Sequence, residues 1–307
     1  MSEWFLDTLM TSMRRRDLFS MAAASATALA AGTDRPAPLV PFGRERISRL
    51  IVGGNPVSAN SHVLPQMDTE MRDYFTAANA KKLLAACEQS GINTWQSRGD
   101  RHIMRLLHEY RLEGGKLQWI AQTASEYGDL RKNLAEICAL KPIGIYLHGS
   151  QTDRYWYAGR IEQASEDLKA IRQTGVRVGL GTHNPEVIDY AESQGWDLDF
   201  YMACAYNLTR PREAAERLAG RSVPGEFFWD ADRETMLARV KRTSKTCLIF
   251  KIYAATRNCA TPASRKAAVD LVFQHAKPVD AVVVGMFPKY SEQVRENCRL
   301  VSEAIAP

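Results

Sequence analysis

Several absences narrow the class of this 307-residue chain. Its six cysteines, at positions 87, 138, 204, 247, 259 and 298, nowhere take a C-x-x-C spacing, which excludes a zinc ribbon. Beyond residue 32 no apolar run approaches the roughly 20 residues that a helix needs to span a bilayer, so no membrane span is expected in the mature chain. No basic stripe carries interleaved aromatics and the net charge of +5 is spread out, which argues against a nucleic-acid partner. The first strand ends in "VGGNP" (52–56), not G-x-G-x-x-G, which removes the turn typical of a doubly wound dinucleotide-binding sheet. Low-complexity segments are missing too. Cys87, Cys138 and Cys298 fall in helical patterns and Cys247 opens a strand, so buried thiols are expected, not disulfides.

What is present begins with "SMRRRDLFSMAAASATALAAG" (12–32). Arg14, Arg15 and Arg16 form a positive head, the apolar stretch after them is too short to span a membrane, and Ala28-Leu29-Ala30 resembles a cleavage site. The Arg15-Arg16-Asp17-Leu18-Phe19 run resembles a twin-arginine export signal. Translation from Met13 would put that signal at the terminus. The expectation is therefore a signal and linker start over 1–35, removed on export, with the export machinery as a partner and a periplasmic or secreted destination. The stretch 33–42, "TDRPAPLVPF", reads as a Pro-rich linker.

From there apolar runs alternate with 3.6-residue stripes. Strands are predicted at 47–54, 92–97, 116–123, 143–149, 176–183, 198–207, 246–255 and 279–286. Helices are predicted at 77–91, 101–115, 129–141, 160–175, 185–195, 232–244, 262–276 and 291–306. Eight strand–helix units fit a single (β/α)8 TIM barrel over 36–307, with 45% hydrophobic residues to fill it. Such barrels keep their chemistry at the strand C-termini, which selects Gln96, Asp100, Gln122, His148, His183, Cys204, Tyr206, Asn207, Lys251, Arg257 and the Gly285 loop as candidates.

Five blocks resemble successive strands of the aldo-keto reductases: "RISRLIVGGNP", "SGINTWQS", "IGIYLHG", "VGLGTHNPEVIDYAESQGWDLDFYMACAYN" and "VDAVVVGMFPKYSEQVREN". The resemblance implies NADPH as a cofactor, with Gly285, Met286, Gln293, Glu296 and Asn297 at its adenosine-phosphate end. It also implies an Asp, Tyr, Lys and His catalytic set. The Asp falls at Gln96, the Tyr near Arg101 beside Asp100, and the Lys at Gln122 or Thr123. Only the His has its match, His148 in "YLHG". Gln96 and Gln122 cannot form the charged pair that tunes a phenol.

Read residue by residue, His148 ends a strand where ligands sit. His183 follows the fifth strand, and Asn184 before Pro185 suits a helix cap. Lys251 lies inside an apolar run, where an inward, desolvated amine could form a Schiff base or donate a proton. Tyr206 and Asn207, with His183, are substrate candidates. His148, His183 and Cys204 lack diagnostic metal spacing, so no metal is expected. Tyr155–Tyr157 and Phe227–Trp229, read as loop residues, could stack on a sugar or flat ring. The expected function is an exported oxidoreductase-like barrel, nicotinamide-dependent and acting on a carbohydrate or small carbonyl compound. The alternatives are a non-redox lyase or isomerase using Lys251 and His148, and a catalytically silent binding protein.

Overall fold

The computed structural model describes residues 37–306. The export-signal reading falls on residues outside that range. In chain order the elements are β1 (Leu39–Phe42), β2 (Glu45–Ser48), β3 (Leu50–Gly53), α1 (Pro65–Tyr74), α2 (Ala77–Gln89), β4 (Thr94–Arg98) and α3 (Arg101–Leu112). Then come β5 (Gln118–Gln122), α4 (Leu130–Ala139), β6 (Gly144–Leu147), α5 (Gly149–Tyr157), α6 (Glu162–Arg172), β7 (Arg177–Thr182) and α7 (Pro185–Ser193). The rest are β8 (Phe200–Cys204), α8 (Arg212–Ala219), α9 (Ala231–Arg242), β9 (Thr246–Phe250), α10 (Pro262–Phe273), β10 (Ala281–Gly285) and α11 (Gln293–Ala304).

Strands β3 to β10 are parallel and close into a barrel in the order β10-β3-β4-β5-β6-β7-β8-β9. This is the (β/α)8 fold that the alternation predicts. Among the described residues no helix is long and apolar enough to cross a membrane.

The supposed linker is partly structure. Residues 39–42 pair antiparallel with 45–48 as a hairpin, Phe42 against Glu45, through a turn in which Gly43 takes φ +67°. Two-residue hairpin turns need such left-handed positions, which glycine adopts without steric cost. The predicted strand 47–54 is thus two strands. They separate at Arg49, whose N–H donates to the Pro38 carbonyl (2.8 Å) and whose side chain donates to the carbonyls of Asp280 (3.0 Å) and Lys277 (2.9 Å).

The hairpin closes the N-terminal end of the barrel. The Arg46 carbonyl accepts from Asn93 Nδ2 (2.9 Å) and Gln118 Nε2 (2.8 Å), at the starts of β4 and β5. Val40, Phe42 and Ile47 pack onto inward residues of the barrel, among them Ile51, Ile120, Phe200, Met202, Leu248 and Val283. Phe42 and Phe200 meet edge to face at 5.1 Å, both essentially without solvent contact. Burying each such side chain contributes about 1.5–3 kcal/mol. Gly179 makes this packing fit: a Cβ there would lie 2.3 Å from the Phe200 ring and 2.7 Å from Tyr146 Cβ.

Three helices, α1, α5 and α8, lie where no helix was expected. Strand β9 stops at Phe250, five residues early, because Lys251 takes φ +59° and turns the chain out of the sheet. Lys251 therefore lies just past the strand, not inside it as the apolar run suggests.

Candidate functional site

The upper interior of the barrel is built from β4, β5 and β6. Gln96 Nε2 donates to the Tyr146 hydroxyl (2.6 Å), which donates to Gln122 Oε1 (2.8 Å). The two glutamines do converge, as the barrel register requires, but a phenol joins them. The family comparison had put no phenol here; this one comes from a different strand. Burial pushes the Tyr146 phenol well above its ordinary range, with the Arg98 charge opposing only weakly. It stays protonated.

Above this layer, Arg98 at the end of β4 forms an ion pair with Glu126 (Nε to Oε1 3.0 Å). His148 follows β6, with its N–H donated to Thr123 Oγ1 (3.0 Å). Its ring makes no hydrogen bond among the described residues. Burial first, then the charges of Arg98 and His183, push its imidazole down to about 4. His148 is therefore neutral at pH 7.

His183 at the end of β7 has the most organised surroundings. Its Nδ1 lies 2.8 Å from Oδ2 of Asp153, and both side chains are nine-tenths or more buried. Asp153 also accepts from the Thr182 hydroxyl, the His183 N–H (3.0 Å) and the Thr209 hydroxyl (2.9 Å). A carboxylate oxygen accepts hydrogen bonds, so Nδ1, which faces Oδ2, is the donor in that contact. Nε2, on the other side of the ring, has no hydrogen-bond partner among the described residues. Phe250 packs edge to face on the ring at 5.6 Å and limits its rotation. Asn184, as expected, caps α7, accepting from the Glu186 N–H (3.0 Å).

Lys251 lies just past β9 with its side chain 9% exposed. Its Nζ sits 3.5 Å from Glu226 Oε2 and makes no hydrogen bond. Phe228 lies beneath the charge at 5.7 Å. Burial pulls the ammonium down from its ordinary range, with Cys204 and Glu226 opposing. Glu226 Oε1 is held by His62 Nδ1 (2.9 Å), and His62 Nε2 by Asn55 (3.1 Å). Burial alone would raise the Glu226 carboxyl, but the His62 hydrogen bond and the charges of Lys251, His62 and His183 outweigh it and leave it below its ordinary value. Four non-glycine residues here, Lys251, Ala254, Ala255 and Thr256, have left-handed φ between 47° and 74°. Each such position costs about 1–3 kcal/mol. Outside Glu226 and Phe228, a groove of about 540 Å³ runs between residues 62–68 and 221–228, with Arg257 on its wall.

Several sequence candidates have other work. Asp100 caps α3, accepting from the Ile103 N–H (2.9 Å). Tyr206 is 1% exposed and accepts from Asn258 Nδ2 (3.0 Å), so it packs below the surface. Asn207 holds Thr209 (3.5 Å) and borders a small cavity of about 130 Å³. The residues expected at a nicotinamide cofactor are also engaged. Gly285 is exposed but tight against Pro56, and Met286 is fully buried. Gln293 accepts from the Phe287 N–H (2.7 Å), and Glu296 pairs with Arg265 (2.7 Å). Asn297 bonds Tyr253 and the Gln293 carbonyl, both at 2.7 Å. Gln293, Glu296 and Asn297 thus each have a protein partner in the structure. Among the described residues no three His, Cys, Asp or Glu side chains form a group that could hold a metal ion.

Asp153, Glu226, Tyr146 and His62 went unrecognised in the sequence. Asp153 sits in α5, which has no clear apolar stripe, and Glu226 in a segment without periodicity. Tyr146 read as a strand core residue. His62 follows no predicted strand closely.

No protein-family model matches the chain, and no curated protein matches it significantly. Among solved structures, a truncated 3-deoxy-D-arabino-heptulosonate 7-phosphate synthase from Thermotoga maritima aligns at 12% identity over 87% of this chain and 91% of that one, TM-score 0.52. A glycerol dehydrogenase from Gluconobacter oxydans aligns at 11% over 90% and 98%, TM-score 0.49. An N-acetylmannosamine-6-phosphate 2-epimerase from Clostridium perfringens aligns at 16% over 83% and 92%, TM-score 0.45. At these identities the first likeness concerns the fold alone, and the other two fall too low to add to it. The chain is a (β/α)8 barrel with an ionisable cluster at the C-terminal ends of its strands.

Proposed function

We propose that the protein is an acid–base enzyme acting on a small hydroxylated carbonyl compound, of the isomerase or carbon–carbon lyase class. The observation that carries this reading is the Asp153–His183 pair: a buried carboxylate orients an imidazole whose Nε2 has no hydrogen-bond partner among the described residues. Such a base takes the proton from the carbon beside the carbonyl. The C–H electron pair becomes a C=C bond and the C=O pair moves to oxygen, where the neutral His148 N–H or the Arg98 guanidinium stabilises it. The proton returns to the same carbon or its neighbour, or a carbon–carbon bond breaks. Positioned acid–base groups of this kind contribute typically 10²–10⁴-fold. Gln96 and Gln122 supply amides suited to hydroxyl groups. The Arg15-Arg16 head supports export as part of the same reading.

A nicotinamide-dependent reduction, which the family resemblance implies, is less well supported. It needs an acidified phenol beside a lysine, whereas Tyr146 lies between two amides with its pKa raised. Incubation in D2O with short ketoses, aldoses and 2-keto acids, read by proton NMR, tests the acid–base reading. The expected result is loss of the α-C–H signal of at least one compound, at a rate reduced 100-fold or more in His183→Asn. Exchange equally fast in that variant, or none with any compound, would contradict it.

A further inference from the structure

We propose that Lys251 is an amine nucleophile that binds the carbonyl carbon of the substrate as a Schiff base. The proposal deepens the acid–base reading of the same mouth and rests on it. Three features set this lysine apart. Its side chain is nine-tenths buried, and its Nζ, with Glu226 3.5 Å away as an ion-pair partner, makes no hydrogen bond among the described residues, which leaves a buried ammonium poorly satisfied. Its backbone is held in a left-handed conformation that lysine does not favour, at the start of a loop with three further such residues. Its neighbour Glu226 is a carboxylate fixed from the other side by His62, and the charge of Glu226 reaches both Lys251 and His183. A proton acceptor thus stands beside the amine.

The step balances with these groups alone. Glu226 accepts a proton from the Lys251 ammonium, and the freed Nζ lone pair forms a bond to the carbonyl carbon. The C=O pair moves to oxygen, which takes one proton from the nitrogen that has become positively charged, giving a neutral carbinolamine. Glu226 returns its proton to that hydroxyl, which leaves as water while the nitrogen lone pair forms the C=N bond of a protonated imine. Protonated, the imine draws the electron pair of the neighbouring C–H bond, and His183 Nε2 receives the proton. Burial of Lys251, which lowers its pKa, enlarges the free-amine fraction that starts the sequence. In the free protein Glu226 and Phe228 screen Nζ from the groove, so an entering carbonyl compound displaces the Glu226 contact.

Reductive trapping tests this. The full-length protein is incubated with dihydroxyacetone, glycolaldehyde or pyruvate, reduced with cyanoborohydride, and mapped by peptide mass spectrometry. At least one compound is expected to label Lys251 ten-fold or more above any other lysine. The label should vanish in Lys251→Met and in Lys251→Arg, the latter keeping the ion pair with Glu226. In His183→Asn the label should persist while deuterium exchange is lost. Labelling spread evenly over surface lysines, no labelling by any of the three, or full α-proton exchange in Lys251→Arg would each overturn the proposal. Exchange that continues without trapping refutes the Schiff base and leaves the acid–base reading standing; trapping without exchange does the reverse.

Discussion

The two ends of the barrel follow opposite rules. At the N-terminal end, the hairpin covers the interior with Val40, Phe42 and Ile47, and the polar groups of Arg46, Ser48 and Asn93 satisfy one another. At the C-terminal end, among the described residues, the ring of half-buried His148 and the buried Lys251 Nζ make no hydrogen bond, the Nε2 atom of His183 has no partner, and four side chains sit on left-handed backbone. The first end lowers the free energy of the fold, and the second spends part of it. That division is what a site held ready for a ligand requires, because groups already satisfied by the protein have nothing left to offer a substrate.

Substitutions at the two ends should separate accordingly. The largest loss of stability is expected from Phe200→Ala at the closed end. Removing a fully buried ring should cost about 3–5 kcal/mol, read as a lower midpoint in urea, with activity per folded molecule unchanged. A smaller loss, about 1 kcal/mol, is expected from Tyr146→Phe, which leaves Gln96 and Gln122 without their shared hydroxyl; under the proposed function, in which these amides meet substrate hydroxyls, it should also alter KM more than kcat. Smaller still, Asp129→Ala should cost about 0.5–1 kcal/mol by removing the cap of α4, whose side chain accepts from the N–H groups of Arg131 and Lys132.

The mouth should also show itself in acid. His148 is held down to about 4, so the folded protein resists binding a proton that the unfolded chain takes up below its ordinary value of 6.5. Stability should therefore fall as the pH drops from 6.5 through 4, and His148→Gln should make that fall shallower. An equally steep acid loss in the variant would place the acid-sensitive group elsewhere.

Sequence pattern alone carries the barrel because each βα unit repeats a switch from apolar runs to helical stripes, and eight such switches leave few alternatives. It also places Gln96, Gln122, His148, His183 and Lys251 at or just past strand C-termini, where the structure has them. It is silent about contacts made across the chain. Asp153 is 30 residues from His183 and sits on a helix with no apolar stripe, and Glu226 meets His62 over 164 residues. The hairpin escapes a sequence reading because Pro38 and Pro41 resemble a linker, although Val40 and Phe42 on either side of Pro41 point inward. The run through Lys251 read as strand because composition does not reveal a single residue at positive φ.

The division between the ends is tested most directly by measuring two quantities on the same samples of wild type, His183→Asn and Phe42→Ala: the rate of α-proton exchange well below the melting temperature, and the melting temperature itself. His183→Asn should lose at least 100-fold in rate with little change in melting temperature, because the asparagine amide can still donate to Asp153. Phe42→Ala should melt many degrees lower and exchange at the wild-type rate. A His183→Asn protein that exchanges normally, or a Phe42→Ala protein that has lost exchange while still folded, would contradict the assignment of chemistry to the mouth and stability to the floor.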